Sequence, residues 1–100
     1  MLLTTTDVKV DYEVLGIVRG NRVKSVHLGK DIMAFFKKII GGDVSEYAEL
    51  MKEVRDAAFE DMIAEAEKLG ANAVVGIRYA SSTISTGIAE IYVYGTAIKI

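Results

Sequence analysis

Two periodicities alternate along the chain. In the run DIMAFFKKIIGG, residues 31–42, Ile32, Phe35, Phe36, Ile39 and Ile40 fall at i, i+3, i+4, i+7 and i+8, the spacing of one helical stripe. Asp31 is placed to cap that helix, Lys37 and Lys38 suit its negative end, and Gly41-Gly42 stops it. A second helix follows at once. Asp43 and Glu46 have capping-box spacing. Tyr47, Met51, Val54, Ala58, Met62, Ala66 and Leu69 then recur every three or four residues, up to a stop at Gly70.

Elsewhere the apolar residues occupy both parities, as in strands covered on two faces. Residues 12–19, YEVLGIVR, predict a first strand and 23–28, VKSVHL, a second. Gly20-Asn21 between them suits the two-residue primed turn of a hairpin. The stretch LGANAVVGIRYA, residues 69–80, opens a third strand over about 72–83, and IAEIYVYGTAIKI forms a fourth at 88–100. A turn near Ser85-Thr86-Gly87 joins them. The pattern predicts an α+β fold: a four-stranded, mostly antiparallel sheet with two helices on one face. Those helices cover one face only, so a strand that is apolar on both faces is expected to signal assembly.

Size sharpens that expectation. A chain of 100 residues fits a single domain, 1–100. With 51% hydrophobic residues, it carries more apolar surface than a domain of this size readily buries alone, roughly 60–65% of the unfolded total. The cheapest cover is an identical copy. A second helix of about 25 residues is roughly 37 Å long, against a radius of gyration of about 13 Å for a compact domain of this length. Part of it is expected to lie on a neighbour.

Composition removes several function classes. A net charge of −2 offers no field for nucleic acid. The absence of cysteine excludes disulfides, thiolate zinc sites and iron–sulfur clusters. The N-terminal MLLTTTDVKVDYE is not a secretory leader, and no apolar run reaches the ~18–20 residues of a membrane span. A cytoplasmic protein with no membrane partner is expected.

LGANAVVGIRYA following an alanine-rich helix, IIGGD with Tyr47 shortly after it, and the closing EIYVYGTAIKI together resemble the YbjQ-like family. These are small bacterial and archaeal proteins described as "putative heavy-metal-binding" domains. The resemblance covers nearly the whole chain and implies an α+β subunit assembled into a ring, a homopentamer. Relatives often carry an arginine straight after the double glycine. Asp43 stands there, so no role of that arginine carries over.

Candidate chemistry is sparse. Glu49, Glu53, Asp56 and Glu60 form one line along the second helix. From Asp43 to Lys68 there are nine acids and three bases, and elsewhere five acids and nine bases. Such a line could attract a divalent cation, Mg²⁺ or Ca²⁺, but a solvated face is the more economical reading. Soft metals prefer thiolate, thioether or imidazole. Here Met33, Met51 and Met62 sit on apolar stripes, which leaves His27, gathered once per subunit around a ring, as the soft-metal reading. The hydroxyl run Ser81, Ser82, Thr83, Ser85 and Thr86 has no local base to activate it. Gly41-Gly42 lacks the pattern of a phosphate loop.

Arg78, Tyr79, Glu90, Tyr92 and Tyr94 fall on the two strands expected to pair. They suit a subunit interface or a small-ligand pocket beside one. The prediction is a homo-oligomer, a pentamer by the resemblance, that binds a small ligand or a metal and is not an enzyme. The rivals are a metal module built on the acidic line or a ring of His27, and an enzyme whose site is completed between subunits.

Overall fold

Four strands form one mixed sheet and one helix packs across it in the computed structural model, which describes residues 1–25, 45–85 and 88–100. The strands are β1 (Leu2–Leu3), β2 (Glu13–Ser25), β3 (Ala73–Ser85) and β4 (Ile88–Lys99), in the order β1-β3-β4-β2. The helix, α1, spans Ser45–Lys68. The β2–β4 and β3–β4 pairs are antiparallel, and β1 runs parallel to β3. The helix expected over residues 31–42 and the strand residues 26–28 lie outside the described residues, so one helix is described where two were expected.

The Gly20-Asn21 hairpin does not form. β2 runs straight through both residues, pairing Gly20 with Val93 and Asn21 with Tyr92. What Gly20 supplies is clearance. A Cβ built there would lie 1.6 Å from the Ala58 carbonyl oxygen and 2.8 Å from the Met62 amide nitrogen. The missing side chain lets the helix backbone rest on the strand, a demand that composition cannot distinguish from a turn.

Val54, Ala58, Met62 and Ala66 make the buried line of α1, packed on Val18, Val74, Ile77, Ile91, Val93 and Ala97 of the sheet. The stripe read from the sequence extended to Leu69, but that side chain is 46% exposed, because the helix has already ended. Gly70, at φ +82°, closes it. The amide of Ala71 donates to the Ala66 carbonyl and that of Gly70 to the Glu67 carbonyl, the paired bonds of a Schellman cap. Asn72 then ties the turn to the end of β4. Its side chain donates to the Ile100 carbonyl at 3.0 Å and accepts from the Ile100 amide at 2.8 Å.

Val74 and Val75 are both buried, on opposite faces. Val74 meets the helix, and Val75 joins Ala73 and Ile98 in a small cluster under Val8 and Tyr12. The second apolar face of β3 is therefore covered at this end by the chain's own N-terminal segment. Tyr12 is held there by its hydroxyl, which donates to Asp7 at 2.8 Å; that bond to a carboxylate raises the phenol's pKa. The described residues extend over 53 × 22 × 18 Å, with a radius of gyration of 16.8 Å, against about 13 Å for a compact domain of this length.

Candidate functional site

A bulge decides which side chains meet. Between Val75 and Arg78 the β3–β4 register shifts, so Gly76 and Ile77 together oppose Gly95. Gly76 lies at φ +63°, the left-handed conformation that begins this kind of bulge and that other residues adopt only with strain. One extra residue reverses the parity of all that follows. Arg78 and Ala80 thus turn away from the helix, and Tyr79 turns toward it.

The five residues grouped from the sequence are accordingly split. Tyr79 stacks on Phe59 of α1, ring centroids 6.1 Å apart, beside a shallow groove lined by Met51, Arg55, Ser81 and Ile91. Partial burial raises its phenol pKa. Arg78, Glu90, Tyr92 and Tyr94 remain on the opposite, open face. Tyr92 and Tyr94 stack on each other with centroids 6.3 Å apart and planes at 27°.

Register shows what surrounds them. Tyr94 pairs with Arg78 on one side and Arg19 on the other; Tyr92 pairs with Ala80 and Asn21; Glu90 pairs with Ser82 and Val23. Arg78 is anchored, its guanidinium donating to the carbonyls of Thr5 at 2.8 Å and Ile77 at 2.9 Å. Ile17 and Val23 border the face along β2 and are 67% and 55% exposed. Arg19, Asn21 and Ile17 did not stand out in the sequence. The signal that could have found them is cross-strand pairing, which requires the register.

The acidic line is placed as the helical spacing implies. Glu49, Glu53, Asp56 and Glu60 are all exposed on α1, and no group of three or more histidines or carboxylates suited to a metal occurs among the described residues. The neighbouring Asp61 is engaged elsewhere, since both its oxygens accept from Arg22 of β2, at 2.7 and 2.9 Å. That guanidinium lowers the Asp61 pKa, and the carboxylate raises that of Arg22. His27 lies outside the described residues. Among those described, no helix is long and apolar enough to cross a membrane.

Fold and face together define an α+β domain with one sheet face under a helix and the other bearing stacked tyrosines and arginines. The chain belongs to the YbjQ_1 family, "Putative heavy-metal-binding", whose model matches residues 1–100. It is 55% identical to a "UPF0145 protein" of Thermotoga petrophila, over 100% of this chain and 97% of that one. A protein of the same name from Alkaliphilus metalliredigens is 48% identical, over 99% and 98%. A crystal structure of a protein of unknown function from Pediococcus pentosaceus, assigned to the DUF74 family, shares the fold. Its TM-score is 0.73 at 17% identity, covering 100% of this chain and 97% of that one.

The described residues do not fit the family's heavy-metal label. The chain has no thiolate, and Met62 is fully buried in the core. The exposed donors on α1 are carboxylates on one helix, a set that suits hard cations and not soft ones.

Proposed function

We propose that the chain is a non-enzymatic, cytoplasmic homo-oligomer, five copies by the family resemblance, whose open sheet face takes a small ligand. The observation that carries this reading is that face: a stacked tyrosine pair, of which Tyr94 has an arginine opposite it on each neighbouring strand, bordered by exposed Ile17 and Val23. Exposed apolar side chains grouped with aromatic and arginine residues are the composition of binding and subunit surfaces. β2 adds a second reason for association. It is one of the two edge strands of the described sheet and runs for 13 residues, a length that, unpaired among the described residues, invites pairing with another chain.

Native mass spectrometry of protein purified without chelators tests both halves of the proposal. A five-fold species carrying a bound small molecule is the expected spectrum, and a five-fold species with no added mass overturns the ligand role and keeps the assembly. A monomer at micromolar concentration overturns the assembly. Stoichiometric metal in place of an organic ligand would transfer the role to donors outside the described face.

A further inference from the structure

We infer that the open sheet face holds one nucleoside phosphate, its base on the Tyr92–Tyr94 pair and its phosphate between Arg19 and Arg78. This rests on the reading of that face as a small-ligand site and names the ligand class. Three features of the face converge on it.

The first is the aromatic platform. Tyr92 and Tyr94 lie side by side on β4, stacked on each other yet still 39% and 43% exposed. An open sheet with adjacent aromatic side chains is a surface on which nucleobases stack.

The second is charge. Tyr94 has an arginine opposite it on each neighbouring strand, Arg19 and Arg78, with backbones about 5 Å away on either side. Glu90 of the same face is four residues along β4 from Tyr94, about 13 Å at the rise of a strand, and Asp7, engaged by the Tyr12 hydroxyl, lies in the N-terminal segment that borders the other end. The Tyr94 row is therefore positive while the far end of the face is not. That polarity complements a ligand with an anion at one end. The bonds from Arg78 to Thr5 and Ile77 use two of its five N–H donors. They fix the guanidinium in advance and leave donors for a phosphate oxygen.

The third is Asn21, paired with Tyr92. Its amide offers both donors and an acceptor, which a base edge requires and a simple aromatic acid does not. A nucleic acid strand fits less well. Tracking a strand takes several phosphate contacts, whereas the face presents two arginines on a chain of net charge −2.

The test is isothermal titration of the full chain with adenosine monophosphate, adenosine, inorganic phosphate and a single-stranded octanucleotide, beside native mass spectra of the same samples. The expected result is saturable binding of one adenosine monophosphate per subunit, with adenosine and phosphate each at least about tenfold weaker. Arg19→Gln, and separately Tyr92→Ala with Tyr94→Ala, should each weaken it by about tenfold or more, while Arg55→Gln on the other face leaves it unchanged. These sites are exposed, so circular dichroism should show the variants folded. An assembled protein that ignores adenosine monophosphate overturns the inference and spares the assembly. A monomer that binds it spares the site and overturns the assembly. An octanucleotide bound tenfold tighter than the mononucleotide overturns the proposal in favour of a strand. Conversion of the assembly to monomers by the tyrosine variants overturns it in favour of a second copy seated on the face.

Discussion

At the residue scale, two glycines carry decisions that larger residues could not. Gly76 turns β3 over, and so determines that Arg78 and not Tyr79 joins the tyrosines of β4. Gly20 brings the helix onto the sheet. Because the obstacle to a side chain there is backbone, the carbonyl of Ala58 and the amide of Met62, no rotamer change relieves it. Gly20→Ala should cost about 3 kcal/mol or more, at the upper end of overpacking penalties. Urea denaturation measures this, and an unchanged midpoint would show that helix and strand separate without loss. Both glycines are plain in the sequence, but their purposes are not. A turn, a bulge and a close approach all select the same residue.

At the scale of elements, α1 is held by its apolar line within the core and by the Arg22–Asp61 pair at its margin. The line was legible because four of its members recur at every fourth residue, Val54 to Ala66. The ion pair was not legible, since its partners are 39 residues apart in the chain. Its pH dependence has a definite sign. The Asp61 pKa is lowered in the folded state, so the pair's stabilisation is present above the ordinary carboxylate value of about 3.9. It is lost as pH falls through the lowered folded value. Arg22→Met should therefore melt below the parent protein at pH 7, and the two curves should converge under acid. Both side chains are substantially exposed, at 53% and 40%, so added salt should narrow the gap as well. A gap that persists at low pH would mean that Arg22 acts through packing alone.

At the scale of the whole molecule, the unusual quantity is shape. Among the described residues, long strands and a 24-residue helix make a body 53 Å long and 18 Å thick, with Tyr92, Tyr94 and Ile17 exposed on one sheet face beyond the N-terminal cover. A layer this thin leaves large apolar side chains on its surface, and Ile17 is the most exposed of them among the described residues. Ile17→Lys should leave the subunit folded, since it alters an exposed site, while it dissociates the assembly. Light scattering would show the loss of mass, and the Tm of the parent protein, unlike that of the variant, should rise with concentration. A variant of unchanged mass would place the subunit contact elsewhere.

The class of fold, the long second helix, strands β3 and β4 and the poverty of soft-metal ligands were legible in the residues alone. Each of these follows from local periodicity or from residue types present or absent. That β2 continues through Gly20-Asn21, and that the N-terminal residues cover one end of the second face, emerged from the packed chain. It also decided that Arg19 and Arg78 flank Tyr94 while Tyr79 turns away to Phe59. The reason is physical. Periodicity reports how a segment alternates against its own axis, whereas the open face is made by register between strands, and one bulged residue is enough to exchange its members.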